Sequence, residues 1–258
     1  MALLFLVFGL VIGSFLNVVI LRTQKQESLL GRSHCPFCKK TLGFMELVPI
    51  LNFLALRGKC RFCATKISWQ YPLVEFATAL LFLLAFLRFE QGWFLPTGFS
   101  SEMFWIFLAR DFIALSFLII LFVSDFKYGL LPDRFTLPSI VIFVGMNLWL
   151  GMAWPSILFG GVAIGGFFAV QYFLSRGRWI GAGDIRFGVL MGALLGFANG
   201  IAALFLSYLI GAVFALFLLA RRRVGLKTEI PFGTFLAIAT TIVLLTDAWF
   251  AHWYLSLF

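Results

Sequence analysis

Residues 103–123 read MFWIFLARDFIALSFLIILFV, and Ser124 and Asp125 follow at once. An α-helix rising about 1.5 Å per residue needs roughly 20 apolar residues to cross a bilayer's hydrocarbon. This run has that length, and its only charges are Arg110 and Asp111. Seven more stretches of similar character lie at about 1–21, 72–87, 135–150, 155–175, 184–198, 201–220 and 232–250. The whole chain agrees: of 258 residues 62% are hydrophobic and 12% charged, with a mean hydropathy of +1.03. Soluble domains sit near 45–50% apolar and about 25% charged. A soluble globular domain, a disordered chain, a collagen-like repeat and a disulfide-rich secreted scaffold are excluded on these grounds. The expected fold is an all-α integral membrane protein with about eight transmembrane helices.

The formal charge of +9 is a topology signal. Eighteen of the 20 Lys and Arg fall in 22–71, 124–134, 176–183 with the adjoining Arg186, and 221–230. The alternate connections hold only Arg88, and Arg110 lies inside a span. The positive-inside rule places the basic class in the cytoplasm and both termini outside. Attraction to anionic membrane lipids is secondary, and nucleic acid is not needed as a partner. No basic segment precedes 1–21, no small-residue cleavage site follows it, and Arg22 and Lys25 come after it. That pattern marks a first transmembrane helix rather than a cleaved signal. The chain thus divides into a first helix (1–21), a cytoplasmic four-cysteine domain (22–71) and a membrane domain (72–258).

All four cysteines lie in 22–71, as Cys35-Pro-Phe-Cys38 and Cys60-Arg-Phe-Cys63, with 21 residues between the pairs. Two C-x-x-C turns can complete a tetrahedral thiolate site for zinc, at a spacing marginally wider than usual. So short a segment with few apolar residues gains the stability it lacks from a metal. A redox role for Cys35 and Cys38 is the alternative, although no βαβ pattern surrounds them and the second pair has no place in it.

The carboxylates divide by position. Glu27, Glu46, Glu90, Glu102 and Glu229 read as solvated loop residues, Asp247 as a cap at the outer end of the last span, and Glu75 as an interfacial hydrogen-bonding group. Arg110 and Asp111 are intramembrane charges. Adjacent residues do not face each other on a helix, so the expectation is a polar contact of this pair with another helix and an outward-snorkelling Arg110. Asp125 follows the third span and Asp184 opens the sixth, in Gly181-Ala-Gly183-Asp184-Ile-Arg186. Both fall at the cytoplasmic border. Gly188, Gly192 and Gly196 recur every four residues after Asp184, giving a face a neighbouring helix can approach closely. Two aspartates on different helices at one depth can share a proton, one activating water and the other protonating the leaving group. The helix dipoles disfavour the anion at Asp125 and favour it at Asp184. Asp133, after Pro132 and before an apolar run, reads as a helix N-cap.

These residues resemble the bacterial prepilin peptidases, the membrane aspartyl proteases of type IV pili and type II secretion. The similarity runs in order along nearly the whole chain. It comprises Gly13-Ser-Phe-Leu-Asn17, the two cysteine pairs and Tyr71-Pro-Leu-Val-Glu75. It continues with Asp125 and Leu131-Pro-Asp133 and Leu137-Pro138, then Gly181-Ala-Gly-Asp184-Ile-Arg, then Ile230-Pro-Phe-Gly233. The resemblance implies a multi-pass protein of the bacterial inner membrane whose active site faces the cytoplasm. It implies cleavage of prepilin and pseudopilin leaders after a glycine, and N-methylation of the new terminus by S-adenosylmethionine. It makes Asp125 and Asp184 the catalytic pair, with Asp133, Gly181 and Gly183 in support; the substrate-binding residues are not specified. Glu46 stands where the family often has aspartate, and Gln70 where arginine often precedes Tyr-Pro. Two other classes compete: a membrane thiol-disulfide oxidoreductase using the cysteines, and a transporter using Arg110 and Asp111, for which no paired broken helices or two-half repeat are visible.

Overall fold

The computed structural model describes residues 1–93, 95, 99–221 and 230–247. Among them regular structure is helical, with β pairing limited to the isolated bridges His34–Thr41 and Lys59–Lys66. The helices are α1 (Ala2–Gln24), α2 (Leu51–Ala55), α3 (Gln70–Glu90), α4 (Phe104–Tyr128), α5 (Asp133–Trp149), α6 (Trp154–Ser175), α7 (Ala182–Ala220) and α8 (Gly233–Thr246). Five segments are long and apolar enough to cross a membrane: α1, α3, Ser101–Tyr128 with α4, α6 and α7; α8 is shorter and apolar. The all-helical membrane class is therefore observed.

The expected sixth and seventh spans form one element, α7, interrupted at Gly196, where φ is 74° and ψ −172°. The expected break at Asn199–Gly200 is wrong by a few residues, because both of these are helical. Glycine accepts a positive φ without Cβ strain, but the position also depends on partners for the freed backbone groups, which lipid does not supply. Asn147 on α5 donates from Nδ2 to the Ala193 and Leu194 carbonyls at 2.8 and 2.9 Å. The Phe197 N–H donates to Ser156 Oγ on α6 at 3.1 Å. The last three residues expected of the eighth span, 248–250, lie outside the described residues.

The chain forms two compact units, Met1–Leu87 and Arg88–Phe258. In the first, the buried Asn17 of α1 donates to the Tyr71 carbonyl on α3 at 3.1 Å. Arg22, near the end of α1, donates to five successive carbonyls, Ser28 to Arg32, at 2.9–3.4 Å. One cation thereby curls the start of the cysteine segment around itself.

In the second unit, α7 packs on α5, α6 and α8, and α4 packs on α5 and α8. The expected glycine face is where α6 lies: a Cβ on Gly192 would fall 2.1 Å from Gly161 N. In lipid such close packing, rather than a hydrophobic gain, holds helices together. The expected polar contact of Arg110 and Asp111 with other helices is present, to Asn147 on α5 and Arg88 on α3, but the expected outward course of Arg110 needs correction. Arg110 does not snorkel; it is buried, and its Nε and Nη2 donate to Asp111 Oδ1 at 2.9 and 2.7 Å. Its long side chain folds back on its own neighbour because no water competes for either charge. Asp111 Oδ2 accepts from Arg88 Nη1 at 3.2 Å, and that same nitrogen donates to the Leu244 carbonyl of α8.

Candidate active site and metal centre

The metal centre lies within the first unit. The two cysteine pairs sit on matched backbone turns. Cys35 N donates to Lys40 O and Lys39 N to Cys35 O; Cys60 N donates to Thr65 O and Ala64 N to Cys60 O. Lys39 and Ala64 take corresponding positive φ values of 58° and 56°. The four sulfurs lie within 4.8 Å of one another, and Cys35 Sγ is 3.9 Å from Cys63 Sγ. Tetrahedral ligands at about 2.3 Å from a zinc ion are about 3.8 Å apart, whereas a disulfide is about 2.05 Å long. The donor set therefore fits a single tetrahedral metal. The Thr65 hydroxyl and N–H beside Cys63 bring its thiol down to about 6. Cys38, despite a lowering contact from the Lys40 backbone, is pushed up to about 11 by burial and by the thiols of Cys35 and Cys63. Crowded thiolates repel, and a dication removes that penalty.

The two aspartates come together in the second unit. Asp125 lies in the last turn of α4 rather than beyond the helix, and Asp184 in the first turn of α7. They are 5% and 7% exposed, and close enough for their charges to interact. Asp125 Oδ2 accepts the Thr234 N–H at 2.5 Å and its hydroxyl at 2.9 Å. Asp184 Oδ2 accepts the Gly181 N–H at 3.0 Å, which closes the start of α7. Among the described residues no Lys, Arg or His forms an ion pair with either carboxylate.

Small residues make this convergence physical. A Cβ on Gly233 would fall 2.9 Å from Asp125 Cγ and 3.0 Å from Leu131 Cδ1. One on Gly183 would fall 2.9 Å from Leu131 Cβ. Leu131 thus wedges between the two glycines and joins three separate sequence blocks. Asp133 is not an N-cap: Pro132 holds that position, and Asp133 pairs with Arg186 on α7. It ties the start of α5 to the second aspartate's helix.

Thr234 escaped the sequence reading, although Gly233-Thr234 directly follows the Ile230-Pro-Phe block. It also changes the dipole argument. The N-terminus of α8 faces Asp125 and opposes the C-terminus of α4, so dipoles alone do not assign the shared proton.

Glu75 is an internal hydrogen-bond acceptor as expected, taking the Ile50 N–H at 2.8 Å. Glu46 is paired rather than merely solvated: it accepts from Arg61 Nη1 at 2.9 Å and from Gly43 N–H at 2.7 Å.

The family models for the bacterial peptidase A24 N-terminal domain and the type IV leader peptidase family match residues 7–89 and 112–216. A prepilin leader peptidase/N-methyltransferase of Bacillus subtilis (strain 168) is 34% identical, over 93% of this chain and 92% of its own. The chain belongs to the type IV leader peptidase family. Its similarity to a prepilin leader peptidase/N-methyltransferase of Aeromonas salmonicida (strain A449) is 32%, covering 96% of this chain and 92% of that one. An Escherichia coli O78:H11 leader peptide-processing enzyme for type 4 prepilin-like proteins is 32% identical over 94% and 93%. No solved structure matches significantly. In this leader peptidase the two ordered aspartate blocks and the cysteine pairs all fall within the residues the family models cover.

Proposed function

We propose that this chain is an aspartic endopeptidase of the bacterial inner membrane that removes the leaders of type IV prepilins and type II secretion pseudopilins and methylates the new amino terminus. The observation that carries the reading is the pair Asp125 and Asp184: buried, on different helices, joined through Leu131 and, among the described residues, in no ion pair. One carboxylate takes a proton from water, whose oxygen attacks the scissile carbonyl, and the other gives a proton to the departing amine. Thr234 holds Asp125, Gly181 holds Asp184, and Gly183 lets Leu131 pack between the two blocks. No covalent acyl intermediate is needed.

Cys35, Cys38, Cys60 and Cys63 would hold one structural zinc ion that fixes the 22–71 segment; four thiols in one group suit a shared metal better than a redox dithiol. The topology is eight spans, counting α7 as two, with the aspartates at the cytoplasmic border. The apolar part of the substrate stays in lipid while its basic leader remains in the cytoplasm. S-adenosylmethionine supplies the methyl group.

The test is purified protein in detergent with a prepilin. Cleavage after the leader's glycine, a mass increment of one methyl group when S-adenosylmethionine is added, and one zinc per chain are expected. Cleavage blocked by thiol reagents but insensitive to Asp125→Asn and Asp184→Asn would overturn the mechanism and favour the oxidoreductase. Reporter fusions at Leu56 and Thr97 are expected on opposite sides of the membrane, with Leu56 cytoplasmic.

A further inference from the structure

Helix α7 folds back at Gly196, and the fold-back decides which residues share a level. A Cβ on Gly200 would lie 3.7 Å from the Met191 carbonyl oxygen and 3.8 Å from Gly192 Cα. Eight residues on from Gly200 is Tyr208, and eight back from Gly192 is Asp184. At 1.5 Å per residue, each lies about 12 Å from that contact along its own half of the helix. The Tyr208 hydroxyl is within electrostatic range of Asp184. Its ring packs 4.8 Å from that of Phe232 and 5.9 Å from that of Phe167 on α6. Phe232 directly precedes Gly233 and Thr234, which meet Asp125. One tyrosine therefore adjoins the elements that carry both aspartates.

Its polar partner is unusual for this part of the molecule. Ser116, Thr240 and Thr241 each bond a carbonyl of their own helix. Tyr208 bonds instead to the half-buried Gln171 on α6, whose Nε2 donates to the hydroxyl at 3.2 Å; Oε1 lies 3.4 Å from the same hydroxyl. A primary amide has two N–H donors and two acceptor lone pairs. The bond to Tyr208 leaves one amide N–H and one oxygen lone pair over, on a pair that is open to a ligand, since Tyr208 is 37% exposed.

We propose that Gln171 binds the backbone of the peptide substrate beside Asp184, at a unit next to the scissile bond, with Tyr208 as the residue that positions its amide. The inference rests on the peptidase half of the proposed function and supplies that half with a substrate-binding residue. A peptide bond inside a helix has its carbonyl tied to the next turn, so the stretch around the scissile bond unwinds before water attacks it. Unwinding at the membrane border strands N–H and C=O groups that lipid does not satisfy. The spare N–H and oxygen of Gln171 are the complement of one such unit: the N–H donates to a peptide C=O, and the oxygen accepts a peptide N–H. Tyr208, packed between Phe167 and Phe232, holds the amide in place for this.

Prepilin cleavage kinetics of the full chain in detergent test this. Gln171→Leu keeps the bulk and loses the amide. It should raise KM about tenfold with kcat held within about twofold, because a bond to a flanking unit is uniform binding. Tyr208→Phe keeps the ring and its packing, and should raise KM about threefold. The double variant should lose no more than Gln171→Leu alone, since the tyrosine acts through the amide. Synthetic substrates with an ester in place of one flanking peptide N–H at a time give a readout that a merely structural role would not move. At one position the ester should cost the wild type about tenfold in kcat/KM and Gln171→Leu less than about twofold. Melting temperatures check folding, and Tyr208→Phe carries the test if Gln171→Leu does not fold. An unchanged KM in the folded variants, or an ester penalty equal in wild type and variant at every position, overturns the inference. A wild type that does not cleave prepilin removes the peptidase reading and this inference together, whereas wild-type cleavage with unaltered variants removes only the role of Gln171 and Tyr208.

Discussion

Helix α4 carries two buried aspartates, Asp111 and Asp125, in opposite circumstances. Fourteen residues place them about 21 Å apart along the helix axis. Asp111 is held between Arg88 and Arg110, and that cluster reaches Asn147, the residue that accepts from Arg110 and satisfies the carbonyls before the α7 break. Asp125 has hydrogen-bond donors from Thr234 and, among the described residues, a second carboxylate, Asp184, in place of a cation. A carboxylate clamped between two guanidiniums has both oxygens committed to structural hydrogen bonds. Two carboxylates without cations can share one proton. The same residue type on one helix therefore serves as a structural anchor at one end and as an acid–base candidate at the other.

The contrast is broken most directly at the unpaired end. Asp125→Asn or Asp184→Asn keeps size and polarity but removes the ionisable proton, so prepilin cleavage should fall by about 10³-fold or more, as loss of acid–base catalysis does. Gel-based cleavage on protein shown to be folded checks this, and either variant retaining most activity sinks the dyad. The paired end should respond in stability. Asp111→Ala removes the carboxylate bonded to both buried guanidiniums, a loss of about 3–5 kcal/mol. Thermal unfolding in detergent should show a markedly lower melting temperature; an unchanged one would mean that the cluster is not an anchor.

Thr234→Val sharpens the picture by removing the hydroxyl bonded to Asp125 while keeping the α8 backbone N–H. Hydrogen bonds to charged groups contribute about 1.5–3 kcal/mol, so a drop in kcat of roughly tenfold or more is expected with little change in KM. A rise in KM at constant kcat would instead assign Thr234 to substrate binding.

The smallest effect belongs to an ion pair at the surface. The Arg61 guanidinium, helped by the Gly43 N–H, holds Glu46 below the usual carboxylate range. A depressed folded-state value stabilises the protein above the unfolded value, near 4.3, and this support is lost as pH falls through the folded value. The melting temperatures of wild type and Glu46→Gln should differ slightly near pH 7 and converge toward pH 3. A gap that persists in acid would show that charge is not the reason.

Much of this was legible without coordinates. A 21-residue apolar run must be helical in lipid, since a chain there has to satisfy its own backbone groups, and α4 follows from that necessity. The matched C-x-x-C turns are local, so spacing alone gathers each pair. The join between the aspartates was less accessible. Thr234 and Leu131 act on residues distant in sequence, and no helical period flags a hydroxyl that meets a carboxylate 109 positions away. The α7 break shows the same limit. Gly192, Gly196 and Gly200 were all chemically able to bend the helix, but Asn147 and Ser156 wait beside the backbone groups released at Gly196.

The sequence by itself determined the membrane class, the apolar helical runs, the uneven distribution of basic residues and the small set of residues able to do chemistry, because each follows from local composition and period. Tertiary structure decided which buried carboxylates meet guanidiniums and which meet neutral donors. Arg88 and Arg110 close on Asp111, and α8 brings an amide and a hydroxyl to Asp125. In a medium with little water, a carboxylate's chemistry is set by the nearest charge and donor, and only packing brings those neighbours into place.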